Sequence, residues 1–513
     1  MNSPTPPEQE TPSWFRQKLK DIYWKIHATF PNIIATPHRQ DRDFFIQRAR
    51  TQNAKTRVPE SEELRRRIVW GAEIFGPAEI ESFYRQIKKL DWHEPQDHRI
   101  GKNVIETIRG WRTYGLIGNF NIGVVQPYKS SGFRRTYVGP VPKEAEYLLV
   151  NVVQFSPELT CVIVGFVLKE EDTRSYEREL NKDRKFEHRA KFGRFSYSTY
   201  GPELLKREAI DNERTRCRAM VSSWFRNNFR GFFYSSSLGK RLPLVELITC
   251  KNAAVLTHPT ESSENDDWAR LLVPHGWGEV WNSKKYPGFR MRRSDTGDDM
   301  PFDSIVSIQT STLPAEEFEI YGGLTSSSIA AFVHERIDDF ICQNAVLHML
   351  HEIARILKDG REKLEIGGTR YGKILKSIDE IKSLFDRSVG FPAILNEIYS
   401  KAEKDWAYRW SGNEFENIPW PTEQPVEKLS ETLRLYTMGL SKRLIDDDAA
   451  TREHFEQLVS ILSTRESVKT QRRMEYLTYL TIVLALGSLA ISLSPDSWIQ
   501  KVKTYAGKKF DSK

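Results

Sequence analysis

The chain has 513 residues, 39% of them hydrophobic and 12% aromatic, with a formal net charge of +7. That composition belongs to a folded protein with cores of ordinary size and excludes a disordered chain. The basicity lies in residues 1–58 and 496–513 rather than on the middle of the chain, a layout that fits an anionic lipid leaflet better than a nucleic-acid-binding face.

In chain order, residues 1–12 are rich in Pro and Glu and lack the apolar run of a secretory leader, so the bulk of the chain is expected to be cytoplasmic. From Ser13, the residues Phe15, Leu19, Ile22, Ile26 and Phe30 recur at three- and four-residue steps, with Arg16, Lys18, Lys20 and Lys25 on other faces. This is a basic amphipathic helix, suited to a membrane surface or to packing on its own domain. Residues 1–60 form a basic N-terminal arm.

Ser61 to Trp92 reads as helical with a break at Gly76-Pro77, and Glu79–Leu90 as an amphipathic helix. Strands are expected at Leu116–Val125, Tyr147–Phe155, Cys161–Leu168, Leu242–Cys250 and Phe302–Thr310. Tyr147–Phe155 and Cys161–Leu168 are nearly continuous apolar runs, as in a sheet covered on both faces, joined as a hairpin by Ser156–Thr160. A charged helix from Glu170 to about Lys191 and a mixed helix from Pro202 to Phe229 complete an α+β domain over residues 61–325. Cys161, Cys217, Cys250 and Cys342 have neither metal spacing nor a disulfide framework, which fits a reducing compartment.

A helical region is expected over 326–410, with helices at Ile329–Leu357, Lys373–Phe385 and Pro392–Trp410, followed by a linker at 411–425. Val426 to Ser494 contains no proline, and Leu429, Leu433, Leu440, Leu444, Phe455, Leu458 and Leu462 form one stripe. Residues 426–475 are therefore read as a stalk or coiled-coil helix. Tyr476 to Pro495 carries no charge, and a helix of that length spans roughly 30 Å. It is read as a single-pass transmembrane helix in contact with the lipid bilayer, followed by a short basic tail at 496–513. The fold class expected is an α+β cytosolic domain, a helical region, a long stalk helix and one C-terminal transmembrane helix. Within the span, Thr481, Ala485, Ser488 and Ser492 form a stripe of small side chains, from which a homo-oligomer is expected.

Candidate chemistry is sparse. Gly367 to Lys373 has the glycine and lysine spacing of a phosphate loop, but Ile374 stands where the magnesium-binding hydroxyl belongs. A glycine-rich turn between helices explains it more simply. His348 and His351, with Glu352 beside them and His334, Glu335 and Asp338 upstream, place imidazoles one helical turn apart, without the order of a zinc motif. The aromatic stretches Trp268–Arg293 and Arg226–Phe233 read as core rather than as base-stacking surface. No catalytic residue, cofactor, metal or nucleic-acid partner is assigned.

The layout is similar to that of the CorA-type cation channels, which carry two membrane helices joined by a Gly-Met-Asn loop. Here Ser494-Pro495-Asp496 follows the apolar run and no second span exists, so transport is not carried over. The function expected is a membrane-anchored sensor or interaction protein whose stalk couples its α+β domain to the membrane helix. A homo-oligomeric pore-forming effector and a membrane-tethered enzyme are the alternatives.

Overall fold

A computed structural model describes residues 39–93, 103–128, 136–190, 197–235, 241–257, 267–273, 279–293, 304–367, 390–404, 414–418 and 425–493, with isolated positions at 14, 18, 19, 22, 23, 26, 501 and 504. The basic helix expected from Ser13 lies mostly outside these residues, and the helix expected at Lys373–Phe385 lies wholly outside them. The chain divides into two units, residues 1–354 with 390–444, and residues 355–389 with 445–513.

The first unit is built around Arg65–Phe75 (β1), which is buried along its whole length. The other strands are Gly118–Gln126 (β2), Thr136–Val138 (β3), Ala145–Ser156 (β4), Leu159–Leu168 (β5), Glu187–Ala190 (β6), Tyr197–Tyr200 (β7), Leu244–Cys250 (β8), Val280–Ser283 (β9), Arg290–Arg293 (β10), Ser304–Gln309 (β11) and Phe415–Asn417 (β12). Ten of them form one mixed sheet in the order β12, β9, β10, β11, β8, β1, β5, β4, β2, β3, while β6 and β7 pair separately. The β8–β11 and β2–β3 pairs are parallel, and the rest are antiparallel.

The helices are Arg39–Lys55 (α1), Ile80–Lys89 (α2), Val104–Tyr114 (α3), Glu170–Thr173 (α4), Ser175–Asn181 (α5), Pro202–Asn228 (α6), Phe232–Ser235 (α7), Asp267–Leu271 (α8), Ser326–Gly367 (α9), Phe391–Glu403 (α10) and Leu429–Leu493 (α11). Side chains alternate along β1, so Trp70 points to the face covered by α9, while Gly71 and Glu73 point to the face covered by α6 and α7. A Cβ on Gly71 would stand 2.7 Å from both Phe225 and Val221, so its glycine lets α6 lie close against the sheet. With helices on both faces, the central strands read as continuous apolar runs.

The strands expected at Tyr147–Phe155, Cys161–Leu168 and Leu242–Cys250 are present as β4, β5 and β8. Three readings need correction. Ser61–Trp92 is not helical throughout, because its first part is the central strand β1. The helix expected from Glu170 to about Lys191 is replaced, over the described residues 170–190, by two short helices and a strand.

The third correction is the transmembrane helix. Among the described residues, no helix is long and apolar enough to cross a membrane. Within α11 the apolar run is continuous with Arg472, Arg473 and Glu475, and Tyr476, Thr478, Tyr479 and Thr481 dilute its hydropathy. The helix is 65 residues long, and its start is packed in the first unit at Leu429 and Leu433. The fold is a large mixed sheet with helices, and the expected single-pass topology and membrane location are not supported.

In the second unit, Arg361 near the end of α9 pairs with Asp447 of α11 at 3.0 Å, and Arg452 pairs with Asp448 one turn earlier at 2.7 Å. From residue 471 to 489 every described side chain of α11 is exposed.

Candidate functional site

Two polar clusters and one apolar surface stand out. The first cluster lies where α9 crosses the sheet. The helix starts with a reciprocal cap, in which Thr325 N–H donates to Ser328 Oγ at 2.7 Å and Ser328 N–H to Thr325 Oγ1 at 3.1 Å. Its positions 334 and 338 then fall on one face, four residues apart. The indole N–H of Trp70 donates to Nδ1 of His334 at 2.9 Å, so the imidazole proton sits on the buried Nε2. Burial pushes the His334 pKa down to about 4, and the ring is neutral.

One turn on, Asp338 accepts from Nδ2 of Asn119 and from Nδ2 of Asn151, the latter at 3.1 Å. Asn119 and Asn151 come from β2 and β4, whose register puts both on the α9 side of the sheet. Burial raises the Asp338 pKa to about 7, and the neighbouring Asp339 adds to the rise. Lys401 of α10 donates to the Phe155 carbonyl and lies 3.8 Å over that ring, and burial lowers its pKa to about 8. The lone pair of His334 is taken by Trp70, and the carboxylate of Asp338 by amides. The pair is sealed beneath α9 and fixes the register of that helix on the sheet, where an open acid–base site would need a free face.

The second cluster lies on the opposite face. A bulge between Arg66 and Ile68 turns Arg66 to the α6 side. Arg66 Nη1 donates to the Tyr176 hydroxyl at 3.2 Å, Tyr176 donates to Glu246 Oε2 at 2.5 Å, and Arg214 Nε donates to Glu246 Oε1 at 2.9 Å. All four side chains are sealed from solvent. Burial, with the Glu246 carboxylate beside it, pushes the Tyr176 phenol far above its ordinary range. Further along β1 on the same face, Glu73 accepts from Phe233 N–H at 2.8 Å, and burial raises its pKa well above the carboxylate range.

The sequence candidates separate in space. His334 and Asp338 face the sheet, whereas Glu335 is exposed and accepts from the Tyr321 hydroxyl at 2.5 Å. His351 lies 6.0 Å from the Tyr436 ring, and burial, with His348, Arg293 and Arg443 nearby, lowers its pKa to about 4. Among the described residues, no group of three or more His, Cys, Asp or Glu is placed to hold a metal. Gly367 ends α9, and residues 368–373 of the glycine-rich stretch lie outside the described residues. The Arg226–Phe233 segment supplies Phe229 to an aromatic core with Phe83, Trp92 and Trp224. Trp268, Tyr286 and Phe289 are likewise buried. Sequence reasoning missed Trp70, Asn119, Asn151 and the Arg214–Glu246 pair. The visible signal was one carboxylate inside the apolar run Leu244–Cys250, since such a charge is stable only with a buried partner.

The apolar surface is on α11. Tyr476, Leu477, Tyr479, Leu480, Val483 and Leu484 are all more than half exposed, and they point around the whole circumference of the helix. Three aliphatic hydroxyls of this stretch are bonded within the helix: Thr478 donates to Met474 O, Thr481 to Leu477 O and Ser488 to Ala485 O, each at 2.8 Å. No protein-family model, curated protein or solved structure matches this chain.

Proposed function

We propose that this chain is an interaction protein that assembles with copies of itself through α11 and so gathers its α/β units. The observation that carries this reading is the apolar circumference of Tyr476–Leu489, exposed along its length. An apolar helix surface of this kind is covered in its working state. A partner on one side would leave the other sides wet, so the cover has to come from more than one direction. Identical helices supply cover of matching length, and the closed symmetry of a homo-oligomer fixes their number. The threonine and serine hydroxyls bonded within the helix lower the cost of dry packing along their stripe, and the Tyr476 and Tyr479 hydroxyls near its start can reach water or a partner. Thr481, Ala485 and Ser488 let backbones approach closely on one stripe.

The enzymatic alternative gains nothing from His334 and Asp338, which are sealed. Sedimentation velocity of the full chain tests the proposal. Wild type is expected to sediment as a discrete oligomer, and Leu480→Lys with Leu484→Lys as a monomer of unchanged circular dichroism. A monomeric wild type, or one that floats with liposomes and does not self-associate in their absence, would overturn it.

A further inference from the structure

A cavity of about 510 Å³ opens between α1, the β6–β7 hairpin and the start of α6. Its size is that of a small-molecule site. Phe45, Arg48 and Gln52 reach it from one face of α1, at helical spacing. Phe45 and Phe186 form an aromatic wall, with ring centroids 5.0 Å apart, and Leu204 adds a second apolar side. Gly201 caps α6 without a side-chain bond and Pro202 follows it, so the N–H groups of Glu203 and Leu204 have no acceptor within the helix.

Beside Thr199 and Arg207, whose Nη2 donates to the Arg270 carbonyl at 3.5 Å, three further polar features of this cavity ask for different partners. Among the described residues Arg48 has no carboxylate partner, and its guanidinium lies 5.8 Å over the Phe44 ring. Gln52 Oε1 is buried and receives no hydrogen bond. Glu203 places a carboxylate at the mouth. A simple anion would satisfy Arg48 and the helix start but would meet Glu203 unfavourably and leave Gln52 without a donor. A simple cation would do the reverse.

We propose that the cavity binds a zwitterion with an apolar body, of the class of the apolar α-amino acids. Its carboxylate pairs with Arg48 at the positive end of α6, its ammonium donates to Gln52 and Glu203, and its side chain lies on Phe45, Phe186 and Leu204. This site is separate from the α11 surface and does not depend on assembly.

Titration calorimetry of the full chain with L-phenylalanine as probe tests it. Saturable binding is expected. Because a charge-assisted hydrogen bond is worth about 1.5–3 kcal/mol, 3-phenylpropionate, which lacks the amine, and phenethylamine, which lacks the carboxylate, should each bind at least about tenfold more weakly. Arg48→Gln should weaken L-phenylalanine by a similar factor, and Leu204→Trp should block it. Both positions are exposed, so thermal unfolding of the variants should match wild type. Absence of saturable binding at millimolar L-phenylalanine would overturn the proposal. So would binding indifferent to both substitutions, or 3-phenylpropionate binding as tightly as the amino acid.

Discussion

Arg214 and Glu246 form an ion pair in which neither side chain touches solvent, with Nε 2.9 Å from Oε1. Arg214 belongs to α6 and Glu246 to β8, so the pair fastens a helix to the middle of the sheet. Removing one member of a buried pair strands the other, at a cost of about 3–5 kcal/mol. Glu246→Leu alone and Arg214→Met alone should each lower the unfolding free energy by about that much. The double variant should lose less than the sum, because Arg214 and Glu246 no longer strand each other, while the loss of Glu246 is still felt by Arg66 and Tyr176. Urea unfolding of the four proteins gives the cycle, and strictly additive losses would show that the two residues act independently.

The neutral His334 and the raised Asp338 pull stability in opposite directions with pH. His334 has its pKa near 4 in the fold against an ordinary 6.5. Between those values the unfolded chain binds the extra proton, so this residue lowers stability as pH falls. Asp338 has its pKa near 7 against 3.8, so the folded chain holds the extra proton and stability drops as pH rises through that window. Each slope reaches at most about 1.4 kcal/mol per pH unit, and the two oppose each other where the windows overlap. Asp338→Asn should therefore gain on wild type as pH rises through the Asp338 window, and His334→Asn should gain on it as pH falls through the His334 window. Urea midpoints compared across both windows check this, and parallel curves for all three proteins would refute it.

Two glycines should respond oppositely to alanine. A Cβ on Gly231 would collide with the Ile74 carbonyl and stand 2.7 Å from Glu73 Cγ, in the loop that brings Phe233 N–H to the Glu73 carboxyl. Gly231→Ala should cost about 2 kcal/mol or more, the range of an overpacked core. Gly439 is exposed within α11 and has open space around it. Gly439→Ala should stabilise by up to about 1 kcal/mol through helix propensity. Thermal unfolding midpoints should move in opposite directions, and shifts of the same sign would count against the packing described at Gly231.

Much of the sheet was legible from residues alone. β4, β5 and β8 announce themselves as apolar runs bounded by turn residues. β1 did not, because Arg65, Arg66, Arg67 and Glu73 look like solvent-facing charges. Their partners arrive from far along the chain: Glu177 for Arg65, Tyr176 for Arg66 and the Phe233 N–H for Glu73. His334 and Asp338 stand four residues apart and share a helix face, but were read only as residues upstream of His348 and His351. What they meet there, Trp70, Asn119 and Asn151, is set by strand order, which periodicity does not encode. The run after Tyr476 was read by hydropathy alone, which registers an apolar surface and does not name what covers it.

The position of β1 between β5 and β8 has a consequence for biosynthesis. β5 follows within the same stretch of chain, but β8 begins about 170 residues after β1 ends. At about 5–20 residues per second a ribosome needs roughly 10–35 s to deliver it. For that interval the nascent chain carries the free edge of a strand buried along its whole length, and sheet edges in that state pair readily with other chains. The protein's yield in a cell is therefore expected to depend on the capacity that holds unfinished sheets apart during translation, and not on the stability of the finished fold alone.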